Sequence, residues 1–201
     1  ISTALGISKY IPDQNIFINY TKEDGLVSNR YNVRSYFKAS NGEFLFGSKD
    51  GFVIFNPDSI KNNNNIPEIF IVDFKINNKS INHYDKNSPL RKHISQTDTI
   101  ILKYNQSSFS IEYLALNYTH PQKNIFAYKL EGFDKDWNYA GTNRVATYTN
   151  ISPGKYVFKV KGANNDGIWN NKPVSLHIII KPPFWKTEIA YLSYFIFILI
   201  T

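Results

Sequence analysis

The sequence predicts an all-β protein, and three observations lead to that prediction. Aromatic residues make up 16% of the 201 residues, including 15 Phe and 14 Tyr, and these types favour half-buried, pleated surfaces. Apolar and polar residues alternate at period two in several short runs. Turn signals such as Asn-Gly and Asp-Gly separate the runs. The apolar fraction of 42% is enough for a buried core.

Composition excludes several kinds of chemistry. The chain contains no cysteine, which excludes a disulfide framework, a thiolate metal site and a cysteine nucleophile. The net charge is +7, but the lysines are scattered singly, as in Lys155, Lys159 and Lys161, which alternate along one predicted strand. We expect those three on one solvated face. Because the chain begins at Ile1 and contains no methionine, we expect it to be a piece of a longer product.

Residues 1–60 are predicted to be the last part of a β-propeller. A strand at Val33–Lys38, a two-residue turn at Asn41-Gly42 and a return strand at Glu43–Gly47 are followed by a second turn at Asp50-Gly51. With the strand after that turn, three antiparallel strands make most of one propeller blade. A lone meander of this size is poorly stable, so neighbouring blades are implied.

Residues 61–68 are predicted to be a linker, since an asparagine run precedes Pro67, which blocks a continuing helix. Residues 69–182 then carry seven short strands, which predicts an immunoglobulin-like or fibronectin-III-like β-sandwich. The stretch Ile151–Tyr156 is typical of a tyrosine corner, in which a tyrosine hydroxyl bonds the backbone just upstream. The predicted strands are Ile69–Ile76, Thr99–Tyr104, Phe109–Ala115, Ile125–Leu130, Val145–Thr149, Tyr156–Val160 and Leu176–Ile180.

Residues 183–201 have a different character. Phe184-Trp185-Lys186 precedes an apolar run that has no charged side chain from Ile189 onward. Thirteen residues are fewer than the roughly 20 that span a bilayer. An aromatic and basic cluster before an apolar run nevertheless indicates a membrane interface, so we expect a juxtamembrane segment and the start of a transmembrane helix. The alternatives are an amphipathic or core helix, or a buried final strand.

The sequence offers no convincing catalytic, cofactor or metal site. It lacks a phosphate-binding loop and a nucleophile elbow, and the histidines have no zinc-motif spacing; His177 is expected to point outward from a strand. Asp134-Lys135-Asp136 is best explained as a turn, because Asp forms local hydrogen bonds there. No helix-turn-helix or basic stripe indicates direct nucleic-acid binding.

Three aromatic residues form the best candidate for a ligand or partner contact: Trp137, Tyr139 and Trp169. Aromatic faces suit sugar rings and protein hot spots. For Trp137 we favour a place in the sandwich core, as sandwiches commonly bury one Trp. Trp169 follows a polar loop, where exposure and burial are equally expected.

Four stretches of the sequence resemble, in order, the motifs of the triple-tyrosine (Y_Y_Y) domain: residues 128–137, 146–160, 164–169 and 182–187. The counterparts of its three name-giving tyrosines are Tyr128, Tyr148 and Tyr156. The other structural motif positions correspond to Gly132, Asp134, Pro153 and Gly154. Upstream, Glu23–Asn29 and Gly42–Phe52 resemble a two-component regulator propeller repeat, with Phe where an aromatic, often Trp, usually stands.

This resemblance implies the periplasmic sensor part of a Bacteroides-type hybrid two-component histidine kinase. It implies a homodimer, anchored in the inner membrane by the C-terminal helix, whose propeller binds an oligosaccharide. The segment itself is expected to relay the signal and to be no enzyme, with the kinase downstream. Two alternatives stay open: a carbohydrate-binding or structural module of a membrane-anchored surface protein, and an accessory domain of a polysaccharide-degrading enzyme.

Overall fold

The computed structural model describes residues 1–61 and 63–200. The chain forms two compact units, Ile1–Asn62 and Asn63–Thr201, called here the first and second units. In chain order the described strands and helix are β1 (Ser2–Thr3), β2 (Gly6–Ile11), β3 (Ile16–Tyr20), β4 (Tyr31–Lys38), β5 (Phe44–Ser48), β6 (Gly51–Phe55), β7 (Glu68–Ile76), β8 (Lys79–Ser80), β9 (Thr99–Leu102), β10 (Phe109–Leu116), β11 (Ile125–Glu131), β12 (Asn138–Gly141), β13 (Val145–Tyr148), β14 (Gly154–Ala163), β15 (Val174–Ile180) and α1 (Glu188–Ile200).

The first unit consists of two three-stranded antiparallel sheets, β1-β2-β3 and β4-β5-β6. Its small core centres on Ile7, Tyr31 and Phe46. The predicted three-stranded antiparallel meander is confirmed by β4-β5-β6, and its place in a propeller blade stays a prediction. The three strands before Lys22 had not been individually predicted.

The hairpin predicted at Asn41-Gly42 is present, but its loop is one residue longer than expected. The Ala39 amide donates to the Glu43 carbonyl at 2.8 Å, which leaves a three-residue loop between them. Gly42 has φ of 88°, the left-handed conformation that closes three-residue loops with a bulge. The glycine therefore correctly indicated a turn, and the bulge at Gly42 sets the register between β4 and β5.

The second unit is a two-sheet β-sandwich. One sheet has the order β13-β10-β7-β8 and the other the order β12-β11-β14-β15-β9, with only the β15–β9 pair parallel. Alternating side chains of both sheets fill one core, in which Phe74, Tyr113, Phe126 and Phe158 are almost completely buried. All seven predicted strands are confirmed. The two missed strands, β8 and β12, have two and four residues and lie at sheet edges.

The sandwich has two distinct ends. Glu68, at the start of β7, and Ala163, at the end of β14, lie at what we call the linker end. The parallel strands β9 and β15 finish together at Leu102 and Ile180, at the opposite exit end. The chain therefore enters the sandwich at one end and leaves it at the other.

Helix α1 follows a 3₁₀ turn at Phe184–Lys186. Its side chains include six large hydrophobic groups that are exposed: Tyr191, Leu192, Tyr194, Phe195, Ile196 and Ile198. An apolar helix thus occupies the place where the start of a membrane helix was predicted. Within the residues that the structure describes, no helix is both long enough and apolar enough to cross a membrane.

Candidate functional site

The three predicted contact aromatics meet around a lysine on the outer surface of the five-stranded sheet. The Lys161 ammonium lies 4.5 Å from the ring centroid of Trp137, 5.2 Å from that of Trp169 and 5.9 Å from that of Tyr139. The rings of Tyr139 and Trp169 are 6.1 Å apart and nearly perpendicular. We call these four residues the aromatic–lysine cluster.

Sheet register brings the cluster together. Ala127 on β11 pairs with Lys161 on β14 and with Tyr139 on β12, so the three side chains share one face. Ala127 is fully buried, and its methyl group leaves room for the longer neighbours to cover it. An isolated bridge between Ala163 and Trp169 returns the following loop to the same edge. The cluster thus joins β12, β14 and the two loops that carry Trp137 and Trp169.

The cluster presents a rigid aromatic surface with a positive charge at its centre. Cation–π attraction at partly exposed sites contributes roughly 0.5–1 kcal/mol, so the rings hold the lysine and the lysine orders the rings. Tyr139 is 71% exposed, and Trp137 and Trp169 are half-buried. The prediction that Trp137 fills the sandwich core is wrong, since Tyr113, Phe126 and Phe158 occupy that volume.

The predicted linker is bonded to the sandwich along most of its described length. The Asn164 amide nitrogen donates to the carbonyls of Asn63 and Asn65, the latter at 2.9 Å. The Asp166 carboxylate accepts from the Asn63 backbone amide, and the Asn170 amide donates to the Pro67 carbonyl at 2.9 Å. We call Asn164, Asp166 and Asn170 the linker clamp.

Further asparagines form hydrogen bonds beside the clamp. The Asn63 side chain donates to Asn117 at 3.2 Å and to Asn165 at 2.9 Å, and Asn117 donates to Asn124 at 2.8 Å. Asn117, Asn124 and Asn164 are all buried, and buried amides must find partners. The clamp was not foreseen, because the asparagine run was interpreted as a polar spacer. The second polar run at residues 164–166 was the available signal.

Two of the predicted motif tyrosines lie in one aromatic group. Tyr128 and Tyr148 have ring centroids 6.1 Å apart, and the Tyr148 hydroxyl donates to Asp134 at 2.7 Å. Burial raises the pKa of Tyr148, and its bond to Asp134 raises the pKa further. Asp134 also accepts from the Leu130 amide at 2.7 Å, which confirms the turn predicted for Asp134-Lys135-Asp136. A third tyrosine, Tyr113, also has its ring in contact with that of Tyr128. The motif tyrosine Tyr156 is not part of this group.

Tyr156 instead forms the predicted tyrosine corner. Its hydroxyl donates to the Ser152 carbonyl at 2.9 Å, across Pro153-Gly154. A Cβ at Gly154 would lie 3.1 Å from the Tyr156 hydroxyl oxygen, and one at Gly132, where φ is 93°, would lie 3.1 Å from the Tyr156 ring. A side chain at either position would therefore crowd Tyr156 in this corner. Six of the seven motif residues, all except Pro153, therefore have a contact that explains their identity.

Among the described residues, no three His, Asp or Glu side chains converge as metal ligands would. His177 is exposed on β15, as predicted, and Lys159 on the neighbouring strand pairs with Glu131 at 2.7 Å. We assign no cofactor to the site.

Comparison with known proteins agrees with the motifs. Residues 117–181 match the family model of the Y_Y_Y domain, so this part of the second unit is similar to a Y_Y_Y domain. Histidine kinase P4 of Formosa agariphila is 38% identical over 195 residues, which are 96% of this chain and 14% of that protein. The chain therefore spans about a seventh of this curated relative.

Two solved structures from B. thetaiotaomicron are similar. The extracellular domain of the hybrid two component system BT3049 is 30% identical with a TM-score of 0.72, over 90% of this chain and 24% of that one. The extracellular domain of BT4673, a one component system, is 28% identical with a TM-score of 0.55, over 91% of this chain and 24% of that one. The chain is thus similar to part of the extracellular domains of these two bacterial proteins.

Proposed function

We propose that the chain is the membrane-proximal sensor segment of a hybrid two-component histidine kinase and relays ligand binding to a membrane helix. The observation that carries the proposal is the linker clamp at one end of the sandwich and the outgoing β15 at the other. Because the linker is hydrogen-bonded to the sandwich and the chain leaves it directly from a strand, the second unit can act as a rigid spacer. A relay needs such a body more than it needs a reactive group.

The exit is also bonded to the sandwich. Lys181, directly after β15, donates its backbone amide to the Leu102 carbonyl at 2.9 Å. Pro182-Pro183 follows, and proline restricts the backbone, so the path to α1 is short and stiff. A displacement of the linker is therefore transmitted to the start of α1 with little flexing of the chain between them.

The rest of the proposal concerns partners and location. We infer a homodimer, a periplasmic location, anchorage in the inner membrane through the C-terminal helix, and an oligosaccharide bound by the propeller. The relatives, which include extracellular domains and a protein named histidine kinase, support an extracytoplasmic sensor. The kinase chemistry is assigned to other parts of the full-length protein, and none to this segment.

Disulfide locking at the membrane-proximal turn tests the relay. Since the chain contains no cysteine, Lys186→Cys and Thr187→Cys can be introduced singly into full-length protein whose other cysteines are serine. Lys186 is exposed in the 3₁₀ turn and Thr187 is half-buried at its end, so oxidation at the two positions should fix different dimer geometries. We expect the two cross-linked proteins to differ in autophosphorylation from radiolabelled ATP.

The matched control is Tyr118→Cys, which is 91% exposed at the linker end. Equal autophosphorylation of the reduced and oxidised forms of both variants would contradict the relay. Absence of any autophosphorylation in the full-length protein would contradict the histidine-kinase assignment itself.

The aromatic–lysine cluster supports a second candidate function, a carbohydrate-binding module. Tyr139 and the two tryptophans offer ring faces to a sugar, and Lys161 adds a positive charge. Binding of the chain to an array of neutral and acidic oligosaccharides, lost in Tyr139→Ala, would favour this function. Binding that is unchanged in that variant would exclude the cluster as its site.

A further inference from the structure

The exit end of the sandwich carries an exposed aromatic group built from two distant segments. Tyr104, in the turn after β9, lies 5.3 Å from Trp185 between ring centroids, and Trp185 lies 4.9 Å from Phe184. The three side chains are 45%, 40% and 76% exposed. They pack against one another without entering the core, so their apolar surface remains open to the surroundings.

Four lysines lie at the same end of the sandwich or next to these rings in sequence. Lys103 follows β9, Lys181 follows β15 and Lys155 lies near the start of β14, three neighbouring strands that share this end. Lys186 directly follows Trp185. All four are exposed, and none takes part in an ion pair among residues 1–61 and 63–200. We call the aromatic trio and the four lysines the exit face.

The charge of the second unit favours an anionic partner for this face. The second unit contains 16 of the 23 Lys and Arg residues and 10 of the 16 Asp and Glu residues, a net charge of +6, whereas the first unit has +1. The face continues directly into α1, whose exposed side chains are apolar. A partner that accepts cations and aromatic rings beside a bare apolar helix is a lipid bilayer with anionic headgroups.

We propose that the exit face rests on the surface of an anionic bilayer. Tyr104, Phe184 and Trp185 lie among the headgroups, where amphipathic rings partition, and the lysines face lipid phosphates. The sandwich body, and not only its tether, then contacts the membrane. This inference rests on the membrane-proximal position in the proposed function. Its consequence is that the sandwich has a defined orientation when the linker moves.

Site-specific labelling tests the contact. Asn105→Cys is the only thiol in the variant chain and lies beside Tyr104, while Tyr118→Cys reports on the linker end. Each is labelled with the fluorophore NBD and reconstituted into vesicles of phosphatidylcholine alone or with phosphatidylglycerol. We expect headgroup-level spin-labelled lipid to quench the probe at position 105 in the anionic vesicles and to leave position 118 unquenched.

Charge reversal supplies the matched pair of variants. Lys181 and Lys172 are exposed lysines that flank opposite ends of β15. Lys181→Glu should reduce the quenched fraction at position 105 roughly fivefold or more, the effect of one basic residue at an anionic surface, and Lys172→Glu should not.

Two results would overturn the inference, and they are distinguishable. If the chain floats with vesicles but position 105 is as water-exposed as position 118, the exit face makes no contact, while the membrane-proximal function stands. If the chain fails to float with the anionic vesicles, the exit face does not bind them and the contact is refuted, while the membrane-proximal function is tested separately by autophosphorylation of the cross-linked full-length protein.

Discussion

Asn164→Ala removes the centre of the linker clamp. The Asn164 side chain donates to the carbonyls of Asn63 and Asn65 and accepts from the amides of Asp166 and Ile168, and only 1% of its surface is exposed. Each hydrogen bond contributes about 1 kcal/mol net, and partners left buried cost more than partners that reach water. We expect the free energy of unfolding of the second unit to fall by about 2–4 kcal/mol.

Urea unfolding followed by tryptophan fluorescence measures this loss. All three tryptophans lie in the second unit, so the signal reports on the sandwich without the first unit. Asn171→Ala is the control, because Asn171 is exposed in the same loop and should change stability by less than about 0.5 kcal/mol. A loss in Asn164→Ala no larger than that of the control would refute the clamp as a structural bond between linker and sandwich.

Three further predictions concern the tyrosines. Tyr113→Phe should stabilise the second unit by about 1 kcal/mol, measured by urea unfolding, since the buried Tyr113 hydroxyl has no hydrogen-bond partner among the described residues. Tyr156→Phe should cost about 1 kcal/mol through loss of the corner bond to Ser152, and an unchanged urea midpoint would contradict this. Burial raises the pKa of Tyr148 above its ordinary 10.0, so the unfolded chain loses the hydroxyl proton at a lower pH than the folded chain does. The free energy of unfolding, measured in urea at a series of pH values, should therefore keep the full contribution of Tyr148 below pH 10 and fall above it. The fall should be less steep in Tyr148→Phe.

Most of the strand pattern could be predicted because it is local. In β10 the buried residues Ile111, Tyr113 and Ala115 alternate with more accessible ones, and such alternation needs no knowledge of the partner strand. The tyrosine corner is equally local, since the Tyr156 hydroxyl bonds a carbonyl four residues upstream. Features of this range are encoded within one short window of sequence.

The failures involve partners that are far apart in the chain. The Asn63 and Asp166 pair is separated by 103 residues, so the asparagine run could not be distinguished from a free spacer. Trp137 was misplaced for a similar reason. It lies outside any alternating run, and its position depends on Lys161, which the register of three strands brings beneath its ring. Local periodicity contains no information about such register.

The loop that follows β14 connects the two parts of the candidate site. Its asparagines hold the linker, while its Trp169 closes the aromatic–lysine cluster. A ligand on the cluster that prefers one arrangement of this loop must therefore change the free energy of linker movement by the same amount as linker movement changes ligand affinity. The two functions proposed for the chain are then not exclusive, because a bound sugar at the cluster would bias the same loop through which a propeller signal enters the sandwich.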